Sequence, residues 1–127
     1  MMAVDTSALM AILLGEPEAD FCIAALERDG DLLLSAGTMT EALIVAARRN
    51  VGPEMTRLID GLGFEIVPLT AAAARRVAHA YATWGKGHHS AALNFGDCFA
   101  YDMAKTNNCP LLYVGRDFSQ TDIERIV

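Results

Sequence analysis

"LNFGDCFAYDMAKTNNCPLLYVGRDFSQTD", residues 93–122, decides how the chain is read. A carboxylate, Asp97, opens an apolar helix that runs to about Lys105. The apolar run "LLYV", Leu111 to Val114, then reads as a strand and gives way to Gly115-Arg116-Asp117. Burying a carboxylate is costly unless something offsets its charge, so an acid at each joint asks for a reason. The beginning of the chain repeats the pattern. In "MMAVDTSALMAILL", residues 1–14, Ala3 to Asp5 reads as the end of a short strand, and Ser7 to Leu14 as a helix.

The stretch between alternates in the same way. Gly15 breaks the first helix, and Pro17 suits the first turn of a second one reaching about Arg28. "DLLLSA", residues 31–36, is a continuous apolar strand, followed by a helix from about Thr38 to Arg49. Gly52-Pro53 punctuates before a helix from Glu54 to about Leu62, and "FEIVPL", residues 64–69, is a third strand. Thr70 caps an Ala-rich helix that ends near Tyr81 or Trp84, and a glycine-rich loop leads on to Asp97. Apolar strands separated by helices predict an α/β fold in one domain, residues 1–127, with a parallel sheet covered on both faces. In such folds ligands gather beyond the carboxyl ends of the strands. Asp5 and Asp117 stand at strand ends, while Glu41 and Asp97 stand on adjoining helices. All four converge on one rim in this topology.

Composition narrows the function. With 127 residues, 53% of them hydrophobic, and a net charge of -6, the chain has an ample core and is no nonspecific coat for nucleic acid. Cys22, Cys98 and Cys109 have no metal-type spacing and read as reduced, packed thiols. The apolar run Ala8 to Leu14 is too short to span a bilayer, which takes about 20 residues, and nothing resembles a signal peptide. A cytoplasmic protein without membrane contact is expected.

Each acid also has a local structural alternative. Thr38 and Glu41 fit a capping box; Asp97 complements a helix N-terminus; Asp5 can cap its helix, and Asp117 can stabilise a turn. Four such caps at one end of a sheet are less economical than one shared site. Clustered carboxylates stay ionised only with a compensating cation. An oxygen-only donor set suits Mg²⁺ or Mn²⁺, which polarises phosphoryl oxygens and acidifies water. "GKG" at residues 85–87 is no phosphate-binding P-loop, and neither Ser7 nor Ser90 has a His partner at motif spacing. Metal-assisted phosphodiester hydrolysis is the best chemical match.

"MAVDTSAL", "TEALIVAAR" and "ALNFGDCFAYDMAKTNNCPLLYVGRDFSQTDI" together resemble the PIN-domain ribonucleases, and more narrowly the VapC toxins of type II toxin–antitoxin pairs. The resemblance spans essentially the whole chain. It implies a three-layer α/β/α domain around a central parallel sheet, and Mg²⁺- or Mn²⁺-dependent endoribonuclease activity, commonly on tRNA or ribosomal RNA. It implies that Asp5, Glu41, Asp97 and Asp117 are the catalytic, metal-binding acids and that Ser7 orients Asp5 or a metal water. It further implies a VapB-type antitoxin as partner, a homodimer within the toxin–antitoxin assembly, and DNA contact only through the antitoxin. Two positions depart from the pattern. Asp102, about 140° around the helix from Asp97, reads as a solvated partner of Lys105 or Thr106. Arg116 either grips a substrate phosphate or neutralises Asp117. Lys86, His88 and His89 in the loop are candidate phosphate contacts, with Trp84 a candidate stacking surface. The rival readings are a PIN-fold nuclease acting on DNA or in RNA maturation, and a silent antitoxin-binding module.

Overall fold

The computed structural model describes residues 1–126. The strands are β1 (Met2–Val4), β2 (Leu32–Ser35), β3 (Glu65–Val67) and β4 (Leu111–Leu112). The helices are α1 (Thr6–Leu14), α2 (Ala19–Arg28), α3 (Ala36–Arg48), α4 (Gly52–Leu62), α5 (Ala71–Trp84) and α6 (Phe95–Thr106), and a short 3₁₀ turn covers Phe118–Gln120. The sheet is parallel throughout in the order β3-β2-β1-β4. From β1 the chain builds outward through β2 and β3, then returns to place β4 on the other side of β1. The direction of winding therefore reverses between β1 and β4, which is where such sheets open a ligand crevice.

Alternation along each strand makes the three layers. Met2, Val4, Leu32, Leu34 and Leu112 pack with residues of α1 to α4, including Leu9, Cys22, Ala46 and Met55. Ala3, Leu33 and Leu111 pack on the opposite face with Val77 and Ala80 of α5 and Phe99 and Met103 of α6. Successive side chains of a strand point to opposite faces, so a central strand covered on both sides must be apolar at every position. Removing Leu34, which is fully buried, as Leu34→Ala would cost about 2 to 5 kcal/mol. Where α3 crosses α6, Gly37 leaves room for the Phe99 ring that any Cβ would strike.

Local chemistry differs from the expected boundaries in four places. Asp5 lies beyond β1 as the N-cap of α1, its side chain accepting from the Ser7 amide. Pro17 lies before α2 rather than in its first turn. The capping box that is the structural alternative for Thr38 and Glu41 does not form. Ser35 ends β2 and caps α3 directly, accepting from the Gly37 amide at 3.1 Å, which leaves the Glu41 carboxylate for another duty. Finally, β3 is an edge strand with Glu65 and Ile66 exposed, so its apolar look does not mean burial on both faces.

Candidate active site

The crevice at the β1–β4 reversal is a cleft of about 290 Å³ whose lining includes Asp5, Ser7, Glu41, Asn94, Asp97 and Asp117. The four acids expected from the sequence do line one cavity. How each is held differs.

Asp5 is almost wholly buried at 3% exposure. Its Oδ2 accepts from the Ser7 amide at 3.0 Å and from the Ser7 hydroxyl at 2.7 Å. Its Oδ1 is buried and has no hydrogen-bond partner among the described residues. Burial raises the Asp5 pKa to about 6, opposed by the two Ser7 hydrogen bonds and assisted by the Glu41 charge. Ser7 is fixed from its other side, its Oγ accepting from the Val114 amide at 3.0 Å. The Asp5 amide donates to the Leu112 carbonyl at 3.0 Å. The start of the chain is thereby tied to the strand that closes the sheet.

Glu41 reaches the cleft from α3, and Thr6 Oγ1 donates to its Oε1 at 2.6 Å. A Cβ on Gly96 would collide with the Glu41 carboxylate, so glycine at the start of α6 is what lets that carboxylate lie against the helix. Asp97 is the third residue of α6, in a capping box with Asn94. The Asp97 amide donates to Asn94 Oδ1 at 2.8 Å, and Asp97 Oδ2 accepts from the Asn94 amide at 3.0 Å. The capping role and the place at the site coincide in one carboxylate. Burial raises the Asp97 pKa to about 7, followed by the Asp5 charge, with smaller contributions from Asp117 and Glu41, against the Asn94 hydrogen bond. Asp117 is exposed at the rim, just before the 3₁₀ turn.

Among the described residues no three acids already form a cage for a metal ion. Thr6 occupies one Glu41 oxygen and the helix cap occupies one Asp97 oxygen. The Asp5 Oδ1 orphan, the negative charge shared with Asp97 and the all-oxygen donor set nevertheless fit a hard divalent cation that keeps several waters.

The PIN domain family model matches residues 2–124. Ribonuclease VapC30 of Mycobacterium tuberculosis is 41% identical over 128 aligned residues, covering 98% of this chain and 98% of its own. This chain belongs to the VapC ribonucleases of the PIN-domain family. VapC20 of Mycobacterium tuberculosis, described as a sarcin–ricin loop cleaving toxin, superimposes with a TM-score of 0.80 at 12% identity, over 99% of this chain and 98% of its own. A chain of VapBC2 from Rickettsia felis, bound to a DNA fragment from its promoter, gives 0.72 at 13% identity over 95% and 92%. At such identities the likeness speaks for the VapC fold alone.

The remaining candidates lie off the acidic cleft. Arg116 is exposed, does not line the cleft and makes no ion pair among the described residues. Lys86, His88 and His89 are exposed beside the end of α5. His88 meets the Tyr81 ring edge-on at 5.8 Å, His89 meets Trp84 at 4.7 Å, and His89 Nδ1 accepts from the Ala91 amide at 2.9 Å. Asp102 is buried rather than solvated. It takes Arg76 Nε at 2.8 Å and Nη2 at 3.3 Å, and its expected partner Thr106 at 3.0 Å, whereas Lys105 pairs with Asp122 at 3.1 Å. Sequence reasoning missed Thr6 and Gly96. Their neighbours "DTS" and "FGD" drew attention to the acids, but the contacts to Glu41 cross between helices far apart in sequence.

Proposed function

We propose that this VapC-family chain is a Mg²⁺- or Mn²⁺-dependent endoribonuclease acting as the toxin of a VapBC pair. The observation that carries the reading is the buried, partnerless Asp5 Oδ1 in a cleft it shares with Asp97. A buried carboxylate oxygen without a donor is costly, and a cation offsets that cost. Asp5, Glu41 and Asp97 would hold the ion, with Asp117 at the rim orienting the attacking water. When bound, a divalent cation supplies charge for the phosphorane-like transition state and lowers the pKa of water. Ser7 holds Asp5 by accepting from Val114 and donating to the carboxylate, so the Asp5 oxygen that remains free has one direction. Thr6 donates its hydroxyl to Glu41 and so holds one of that carboxylate's oxygens. The 2′-hydroxyl is not needed as nucleophile, so products should end in 3′-hydroxyl and 5′-phosphate.

Several companions follow from that reading. The substrate is tRNA or ribosomal RNA, and a VapB-type antitoxin neutralises the toxin and makes the DNA contact. The VapBC2 complex from Rickettsia felis supports such a partner. Ile44, Leu69 and Phe95 are 49%, 45% and 71% exposed and support burial in a homodimer. No helix of the described residues is long and apolar enough to cross a membrane, and the proposed place of work is the cytoplasm. Residues 1–127 act as one PIN unit in this scheme.

The test is cleavage of total cellular RNA by the purified chain with Mg²⁺, with EDTA and with Asp97→Asn. Discrete cuts lost in both controls are expected. Products ending in 2′,3′-cyclic phosphate would overturn the mechanism. Intact RNA with a folded, Mn²⁺-binding protein would favour the silent antitoxin-binding module.

A further inference from the structure

A second cleft, of about 550 Å³, opens between α5 and α6. Its lining includes Arg75, Arg76 and Lys105 against two carboxylates, Asp102 and Asp122, together with His79 and the aromatic pair Trp84 and Tyr101. On a chain of net charge -6 this is a local excess of cation beside aromatic surface. The cations are also held in place. Asp102, 6% exposed, grips Arg76 through two nitrogens while Arg76 remains 45% exposed. Asp122 takes Lys105 at 3.1 Å and the Tyr101 hydroxyl at 2.7 Å, and that hydroxyl accepts from Trp84 Nε1 at 2.9 Å. Arg75 is exposed and has no carboxylate partner among the described residues.

Two elements join this cleft to the acidic one. Helix α6 carries Asp97 on the acidic side and, about 6 and 12 Å further along its axis at 1.5 Å per residue, Tyr101 and Lys105 on the other. The segment after β4 places Asp117 and Phe118 in the first cleft and Asp122 in the second. The two clefts thus share α6 and the segment after β4.

We infer that the α5–α6 cleft is an RNA-binding exosite: Arg75, with Arg76 and Lys105, contacts phosphates of the substrate away from the cut, and a base stacks beside Trp84. This rests on the ribonuclease reading above. Such a site tightens binding of a folded RNA that spans both clefts, and it is irrelevant to an oligonucleotide that fills only the first. Phosphate contacts make binding salt-dependent, and aromatic stacking adds affinity without sequence preference.

The experiment uses the full chain carrying Asp97→Asn, so that bound RNA stays intact, with bulk tRNA and a single-stranded RNA tetranucleotide as probes. Trp84 is the single tryptophan, and its fluorescence reports the second cleft directly. Bulk tRNA should quench it and the tetranucleotide should not. Arg75→Ala should weaken tRNA binding several-fold and lower the slope of log K against log salt by about 0.7 to 0.9, one phosphate's share. Arg75→Lys should restore most of the affinity. In the otherwise unmodified chain, kcat/KM for the tetranucleotide should be unchanged by Arg75→Ala. Unquenched Trp84 with saturating tRNA, or an unchanged salt slope, would overturn the exosite. So would equal losses on both probes, or loss of antitoxin binding alone, which would give the cleft to a protein partner. Cleavage by the unmodified chain, measured in parallel, reports separately on the ribonuclease reading.

Discussion

Helix α6 buries two carboxylates five residues apart, Asp97 and Asp102, and surrounds them differently. Asp102 meets a guanidinium on both oxygens and a hydroxyl besides. Asp97 meets one backbone amide and a neighbourhood of other acids, and its pKa rises to about 7. Burial alone therefore does not mark a functional acid. A structural carboxylate arrives with its cation built in, whereas the other leaves charge for something else to neutralise.

Exchanging charge at the two positions gives the sharpest test of that contrast. Asp97→Asn should reduce metal-dependent cleavage by more than a hundredfold, since losing even an outer-shell partner of a metal site costs about 10- to 100-fold. The same change should leave the melting temperature equal or higher in EDTA, because it removes an uncompensated buried charge. A large fall in melting temperature would break the comparison. Ser7→Ala should come next, lowering Mn²⁺ affinity by calorimetry about 10- to 100-fold through loss of the hydroxyl that fixes Asp5.

Asp102→Asn should do the reverse of Asp97→Asn. It should cost about 2 kcal/mol of stability by denaturant titration, the scale of a lost charged hydrogen bond, with tetranucleotide cleavage unchanged. The last test concerns pH. Burial lifts Asp5 to about 6 and Asp97 to about 7, above the value near 3.9 of an unfolded aspartate. With the folded pKa raised, the associated stability is fully present below the unfolded value and is lost as pH rises through about 6 to 7. In EDTA, the melting temperature should fall between about pH 4 and pH 7. Added Mg²⁺ or Mn²⁺ should recover it at the alkaline end through binding to the native state.

The same contrast explains what the sequence disclosed. Parallel β2 was legible because Leu32, Leu33 and Leu34 must be apolar on both faces, and the rim position of Asp5, Glu41, Asp97 and Asp117 followed from that topology. Asp102 was misread as solvated because Arg76 sits 26 residues away on another helix, beyond any local pattern. Glu41 was offered a capping box because Thr38 has the right spacing. Ser35 took the cap instead because β2 runs into α3 without a loop. Lys86, His88 and His89 looked close to Asp97 along the chain, yet the loop folds two of them onto the aromatic rings of α5.

The hydrogen bond from the Val114 amide to Ser7 Oγ spans 107 residues. It has a consequence for the order in which the protein is made. β1 and Asp5 are translated before β4 and Val114, so β1 keeps one edge bare and Ser7 lacks its anchor until those later residues have been made. Asp117 follows later still. A growing chain can therefore assemble α1 to α4 around β1 and β2 while Asp97 and Asp117 are still to come. The cleft that joins Asp5, Glu41, Asp97 and Asp117 is therefore completed late and all at once.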